Sequence, residues 1–226
     1  MKLALILDTE TTGLTVETAK LIEIGAVLFD IEHRAPIAQL STLLPCASNP
    51  VEHINRISSG LTNATPLAVR KSAADLLRQM AESADVYLAH NVAFDRQWLG
   101  ALPDRPWICT MDDCRWPRAP RGKARLSVTA LALAYEVPVW AAHRAMTDCI
   151  YLAQVMEREP ALSDVLEQAQ QPRTWWVASL SYEKRQLAKD AGFVWDQQVP
   201  KAWARKMTIG EAQALPFEVR PVASAL

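Results

Sequence analysis

Apolar and polar positions along this chain fall into strand-like blocks early and helix-like blocks later. KLALILD (2–8) is a short apolar run of the kind buried in a sheet. KLIEIGAVLFDI (20–31) and PIAQLSTLLP (36–45) are two more, parted by a polar hinge at Glu32–Arg34, which predicts an antiparallel three-strand start. The period then changes: in PLAVRKSAADLLRQMAESA (66–84), Leu67, Ala74, Leu77 and Met80 recur at helical spacing. DVYLAH (85–90) reads as a strand, followed by a helix that Asn91 would cap. ARLSVTALALAY (124–135) and AMTDCIYLAQVMERE (145–159) predict two further helices. Strands interleaved with helices predict an α/β sheet with helices on its faces.

QAQQPR (168–173) is polar, lacks apolar periodicity and contains a proline, so it predicts a linker between residues 1–167 and a small module at 174–226. In that module WWVASL reads as a strand, SYEKRQLAKDAG as a helix stopped by Gly192, and FVWD and KAWARKM as short strands.

A chain of 226 residues suffices for one packed domain and an appendage. The net charge of −1 hides an imbalance: residues 173–226 carry 8 Lys and Arg against 5 Asp and Glu, so the tail is mildly basic while the rest is acidic. No apolar stretch approaches the roughly 20 residues that span a bilayer. MKLALILD is too quickly charged for a secretory signal, and the expectation is a cytoplasmic protein without membrane contact. Cys46, Cys109, Cys114 and Cys149 are scattered without metal-ligand spacing, which predicts reduced, buried thiols.

Three short stretches carry candidate chemistry. Side chains alternate along a strand, so Asp8 and Glu10 project to one side and Thr9 to the other. Two carboxylates that close disfavour each other's ionisation, an arrangement that a hard divalent cation relieves. AHNVAFD (89–95) places Asp95 in the first turn of a helix, where an acid commonly complements the dipole. In HRAMTDC (143–149), five helical residues turn a side chain through about 500°, so His143 belongs on the preceding loop and Asp148 inside the helix. A loop histidine can serve as a general base. Each stretch alone is also compatible with ordinary surface or capping roles.

Taken in order, DTETTGL, AHNVAFD and HRAMTDC resemble the three motifs of the DnaQ-like (DEDDh) 3′→5′ exonucleases, over roughly residues 3–158. WICTMDDCRWP (107–117) and its spacing into LSVTALALAY resemble the exonuclease X branch. The resemblance implies an RNase H-like mixed sheet, antiparallel in strands 1–3 and then parallel, flanked by helices, with a small C-terminal α+β module. It implies that Asp8 bridges two Mg²⁺ or Mn²⁺ ions, that Glu10 and Asp148 complete one site, and that Asp95 supports the other. His143 would take the proton of the attacking water, and nucleoside 5′-monophosphates would leave from a 3′ end. DNA, single-stranded by preference, is the implied substrate, in repair or proofreading; RNA trimming, or docking onto a polymerase or repair complex, are the alternatives.

The same resemblance places Thr11, Thr12 and Gly13 at a turn receiving the 3′-terminal nucleotide, with Leu14 and Ile54 against its base and His90 and Asn91 beside it. INRISSGLT (54–62) would be a short helix facing that pocket, departing from the family at Asn55. RWPRAPRGKAR (115–125) reads as an exposed basic loop whose Arg118, Arg121 and Lys123 would track phosphates. SYEKRQLAKDAGFVWDQQVPKAW (181–203) resembles a small uncharacterised module of DNA-handling proteins, which implies a contact for a repair or replication protein. Trp175, Trp176, Trp195 and Trp203 are expected chiefly as its core, since so small a module has little else to bury.

Overall fold

A computed structural model describes residues 1–120, 125–141, 143–196 and 199–222. Leu3–Thr11 (β1), Leu21–Asp30 (β2) and Ala35–Leu43 (β3) form the expected antiparallel meander, with Arg34 in the left-handed region (φ 51°) at the second turn. Glu52–Asn55 (α1) and Ser59–Ala64 (α2) precede the long helix Leu67–Ser83 (α3). Val86–Ala89 (β4) enters parallel to β1, Val92–Asp95 (α4) makes a single turn, and Trp107–Cys109 (β5) adds parallel to β4. The sheet order is β3-β2-β1-β4-β5. Val128–Ala134 (α5), Ala145–Arg158 (α6) and Leu162–Ala169 (α7) complete this unit.

Strand alternation divides the core into two layers. Ala4 and Ile6 of β1, with Val86 and Leu88 of β4, pack against Cys149, Leu152 and Met156 of α6. Leu5, Leu7 and Tyr87 pack on the other side against Leu77, Met80 and Ala81 of α3. The even-numbered series of β1 continues through Asp8 to Glu10, which therefore emerge on the α6 side. β1 itself runs to Thr11, so the two carboxylates lie within the strand and not beyond its end; pairing with β2 holds them, and the register shifts only between Glu10 and Thr11.

Thr174–Ala178 (β6), a 3₁₀ turn at Tyr182–Lys184, Arg185–Asp190 (α8), Val194–Trp195 (β7), Trp203–Met207 (β8), Ile209–Gln213 (α9) and Val219–Pro221 (β9) form the C-terminal module. Its antiparallel sheet has the order β7-β8-β6-β9. Gly192 adopts φ 78° directly after α8, the stop that the sequence predicts. Ala188, Phe193, Met207 and Ala212 form a small core, with Trp176 and Trp203 packed partly buried against it. Polar contacts clamp this module to the first unit. Glu211 accepts from Arg115 Nε at 2.7 Å and from Arg173, and Lys206 Nζ meets Asp113 at 2.7 Å.

Several elements depart from the sequence reading. β5, α7, α9 and β9 are short, and their stability comes from neighbours that a local pattern does not reveal. α7 continues through Ala169, two residues into the stretch expected as linker. α5 starts only at Val128, where Ser127 accepts from the Ala130 amide and fixes the helix end. The four cysteines are free and buried, as expected. No helix among the described residues is long and apolar enough to cross a membrane.

Candidate active site

β1 delivers Asp8 and Glu10, and the first turn of α6 delivers Asp148 onto the same side of the sheet. The ligand atoms of these three carboxylates lie within 4.8 Å of one another. Asp95, at the end of α4, is buried next to them and is fixed from the other layer: Thr9, pointing away from its neighbours, donates Oγ1 to Asp95 Oδ1 at 2.7 Å. Asp95 is therefore no helix-dipole acid on the surface. Asn91 precedes α4 but makes no side-chain capping bond, contrary to the expectation, because its backbone (φ 160°, ψ 66°) is not that of an N-cap.

Crowding and burial hold protons on this cluster. Burial and then the charges of Asp95 and Asp148 push Asp8 well above the usual carboxylate range. Burial followed by Asp148 raises Glu10 to about 8. Burial lifts Asp95 to about 7 against the opposing Thr9 hydrogen bond, and lifts Asp148 to about 7 against the backbone amide of His143. Among the described residues, Asp148 Oδ1 is buried without a hydrogen-bond partner. An all-oxygen donor set, mutually repelling and with one orphaned oxygen, fits a hard divalent cation.

His143 sits on the loop before α6, exposed and in the left-handed region (φ 61°), as its spacing from Asp148 predicts. That loop is tied down: the amides of Trp140 and Ala141 donate to the Tyr151 hydroxyl of α6 at 2.8 and 2.9 Å.

Sequence reasoning missed the residue that joins the two halves of this site. Glu23 of β2 is fully buried directly across the ladder from Glu10. It accepts from Arg144 Nε at 3.0 Å and Nη2 at 2.8 Å, from the Ala145 amide at 3.0 Å and from Ser41 Oγ at 3.3 Å. Arg144 follows His143 directly, so one carboxylate pins the loop and the start of α6 to the sheet. A glutamate in the otherwise apolar run LIEIGAV was the available signal, since a charge buried there needs a partner. Asn55, which the sequence marks only as a departure from the family, proves to be a brace. Its Nδ2 donates to the Thr11 carbonyl at 3.2 Å, while its Oδ1 accepts from Asn49 and from the Ile57 amide, bracing the end of β1.

The residues expected at a 3′ end are distributed unevenly. Leu14 is 80% exposed at the tip of the loop after β1, and Ile54 on α1 is 47% exposed. Thr12 closes that loop through reciprocal bonds with Lys20, and Gly13 lies against Ala19, where an added Cβ would come within 3.2 Å. His90 is engaged internally: Nε2 donates to the Leu126 carbonyl at 2.8 Å and Nδ1 lies 2.9 Å from the Thr110 hydroxyl, and burial lowers its pKa to about 4. In the basic loop, Arg118 stacks over Tyr135, Arg115 is held by Glu211, and Arg125 pairs with Asp112 at 3.1 Å. Arg121 and Lys123 lie outside the described residues.

A mixed sheet with three clustered carboxylates and a fourth, Asp95, acting on Asp8, an adjoining histidine loop and the order β3-β2-β1-β4-β5 defines an RNase H-like nuclease domain. The exonuclease family matches residues 5–156, and a domain of unknown function, DUF8626, matches residues 175–222. The DNA polymerase III subunit epsilon of Treponema pallidum (strain Nichols) is 35% identical over 154 residues, 62% of this chain and 68% of that protein. Among solved structures, exonuclease X in complex with 5′ overhanging duplex DNA is 26% identical with a TM-score of 0.54, covering 74% of this chain and 99% of the other. The nuclease domain of 3′hExo, a DEDDh family member bound to rAMP, shares the fold at 16% identity and a TM-score of 0.55, covering 72% of this chain and 92% of the other. The chain belongs to the exonuclease family, which supports 3′→5′ exonuclease activity on nucleic acid.

Proposed function

We propose that this protein removes nucleoside 5′-monophosphates one at a time from the 3′ end of DNA, single strands by preference, in repair or proofreading. The convergence of Asp8, Glu10 and Asp148 within 4.8 Å, with Asp95 locked behind them, carries this reading. Asp8, Glu10, Asp95 and Asp148 would hold two Mg²⁺ or Mn²⁺ ions, which when bound supply the positive charge that stabilises phosphoryl oxygens and acidifies water. His143, exposed on its tethered loop, takes a proton from the attacking water at a ring nitrogen. Attack on the terminal phosphodiester forms a new P–O bond and breaks the P–O3′ bond, leaving a 3′ hydroxyl on the shortened strand. Leu14 and Ile54 offer apolar surface to the terminal base. Thr11, Thr12, Gly13, His90 and Asn91 shape the pocket around it, and Arg118, Arg121 and Lys123 would meet the phosphates. We take residues 1–167 as the catalytic domain and 174–226 as an appended module, a site for contact with repair or replication proteins.

DNA is favoured over RNA because the 35% relative is a DNA polymerase subunit and exonuclease X was solved on DNA. RNA remains the second reading, since 3′hExo binds rAMP and another fold neighbour recognises a histone mRNA stem-loop. The test uses 5′-labelled single-stranded DNA, duplex DNA and RNA, each with Mg²⁺, Mn²⁺ or EDTA. A metal-dependent ladder shortening from the 3′ end, fastest on single-stranded DNA, is expected. No ladder on any substrate refutes the nuclease reading, and a ladder on RNA alone refutes the choice of DNA.

A further inference from the structure

The C-terminal module carries a face that its own folding does not explain. Tyr182 is 75% exposed and Trp195 is 50% exposed, although both are large rings in a unit short of apolar residues. Trp195 lies opposite Trp203 on paired strands, with ring centroids 5.5 Å apart. Lys189 Nζ lies 5.8 Å from the Trp203 ring, and the Arg185 guanidinium lies 3.9 Å over the Tyr182 ring. Arg185 and Lys189 are one helical turn apart on α8, so the two cations lie between Tyr182 and the Trp203–Trp195 pair in a chain of neighbours. Among the described residues, neither Arg185 nor Lys189 takes part in an ion pair, in contrast to Arg115, Arg173 and Lys206 on the side clamped to the catalytic unit. Trp176 and Trp203 satisfy the expectation of a tryptophan core; Trp195 does not.

We infer that this face binds single-stranded nucleic acid, its rings stacking on unpaired bases and its two cations meeting phosphates. Every base presents a π-face, so rings with unpaired cations between them suit a flexible strand without sequence preference. Charge complementarity selects this occupant: an apolar protein partner would gain nothing from Arg185 and Lys189, and duplex DNA offers no free base to stack. The site is separate from the catalytic carboxylates and stands whether or not the nuclease reading holds.

The test measures anisotropy of fluorescein-labelled dT20 with the full-length chain in EDTA, where metal-dependent hydrolysis cannot intervene. Tyr182→Ala and Trp195→Ala are each expected to weaken binding about fivefold or more, while Trp195→Phe, which keeps a ring, retains most of the affinity. Arg185→Gln combined with Lys189→Gln is expected to lower the slope of log affinity against log salt by about 1.4. Tyr182 is so exposed that its loss should leave the thermal transition unchanged, which separates lost binding from lost folding. With Mg²⁺, turnover of a dinucleotide should be unchanged in all four variants. Affinity and salt slope matching the parent chain would overturn the proposal. So would equal losses on dT20 and on the dinucleotide, because the effect would then lie at the catalytic end. A chain that binds dT20 through this face yet hydrolyses nothing would sink the nuclease reading alone.

Discussion

Gly25 is the point at which the sheet and the catalytic helix touch backbone to backbone. It lies on β2 directly opposite Asp8 of β1, beneath the start of α6. A Cβ added there would fall 2.5 Å from the Met146 nitrogen and 2.6 Å from the Ala145 carbonyl oxygen. An ordinary contact needs about 3.5 Å, so Gly25→Ala requires the first turn of α6 to retreat by about 1 Å. Backbone cannot swing aside as a flexible side chain would. Overpacking of this kind costs about 1–3 kcal/mol. The displaced turn carries Asp148 and follows His143, while Asp8 stays on the sheet. A misplacement of about 1 Å within a catalytic constellation costs roughly 100-fold in rate. The expected outcome is a folded variant with its thermal midpoint lowered by several degrees and kcat on single-stranded DNA reduced about 100-fold, measured well below the transition. The KM should change much less, because Leu14 and Ile54 lie on other elements. Turnover within threefold of the parent, in a variant destabilised as described, would refute the reasoning.

Glu23→Gln leaves Arg144 without its carboxylate and is expected to cost about 2 kcal/mol of stability, below the roughly 3–5 kcal/mol of a fully buried pair because the Arg144 side chain is 35% exposed. Urea titration checks it, and a loss under about 0.5 kcal/mol would remove Glu23 as the tether. His143→Ala is expected to reduce turnover by about 100-fold or more while Mg²⁺ still raises the thermal midpoint as in the parent, since the metal-binding carboxylates are intact. Loss of the Mg²⁺ effect in that variant would argue for a metal ligand instead. The acidic cluster also fixes a pH dependence. Glu10 near 8, with Asp95 and Asp148 near 7, keep protons in the folded state that the unfolded chain releases around pH 4. Without metal, stability should therefore be greatest at low pH, fall as pH rises through 7–8 and level off above. Differential scanning fluorimetry in EDTA from pH 5 to 8.5 should show a falling midpoint, and Mg²⁺ should raise it most at the alkaline end. A metal-free midpoint that climbs across that range would contradict the assignment.

Much of this was legible in the sequence because the informative signals were local. Strand alternation sufficed to place Asp8 and Glu10 on one side, and the mismatch between five residues and the helical period sufficed to put His143 on a loop. Three motifs in fixed order supplied the family, which no single stretch did. What was not legible depends on contacts between distant segments. Thr9 was known to point away from Asp8, but that it meets Asp95 follows only once α4 is laid against β1. Glu23 and Arg144 are 121 positions apart, and neither the apolar run around Glu23 nor the HRAMTDC stretch around Arg144 points to the other as its partner. His90 belonged to a motif and looked available; the fold fills both its ring nitrogens with Thr110 and Leu126. The basic loop looked continuous, yet Arg115 and Arg125 are consumed by Glu211 and Asp112.

The charge balance of the site gives Glu23 a second meaning. Asp8, Glu10, Asp95, Asp148 and Glu23 all bear on one another, and their mutual repulsion accounts in part for the raised values of Asp8 and Glu10. Among the described residues, the fold supplies one cation in an ion pair with any of the five, and Arg144 is spent on Glu23 through both of its forked N–H groups. Satisfied also by Ala145 and Ser41, Glu23 is withdrawn as a donor even though it lies across from Glu10. Among the described residues the other four acids have no such partner, and Asp148 Oδ1 is buried without a hydrogen bond. Pairing the fifth carboxylate therefore does two things at once. It fixes the loop that carries His143, and it leaves the other four acids without a cation among the described residues, a donor set that a bound divalent ion would compensate.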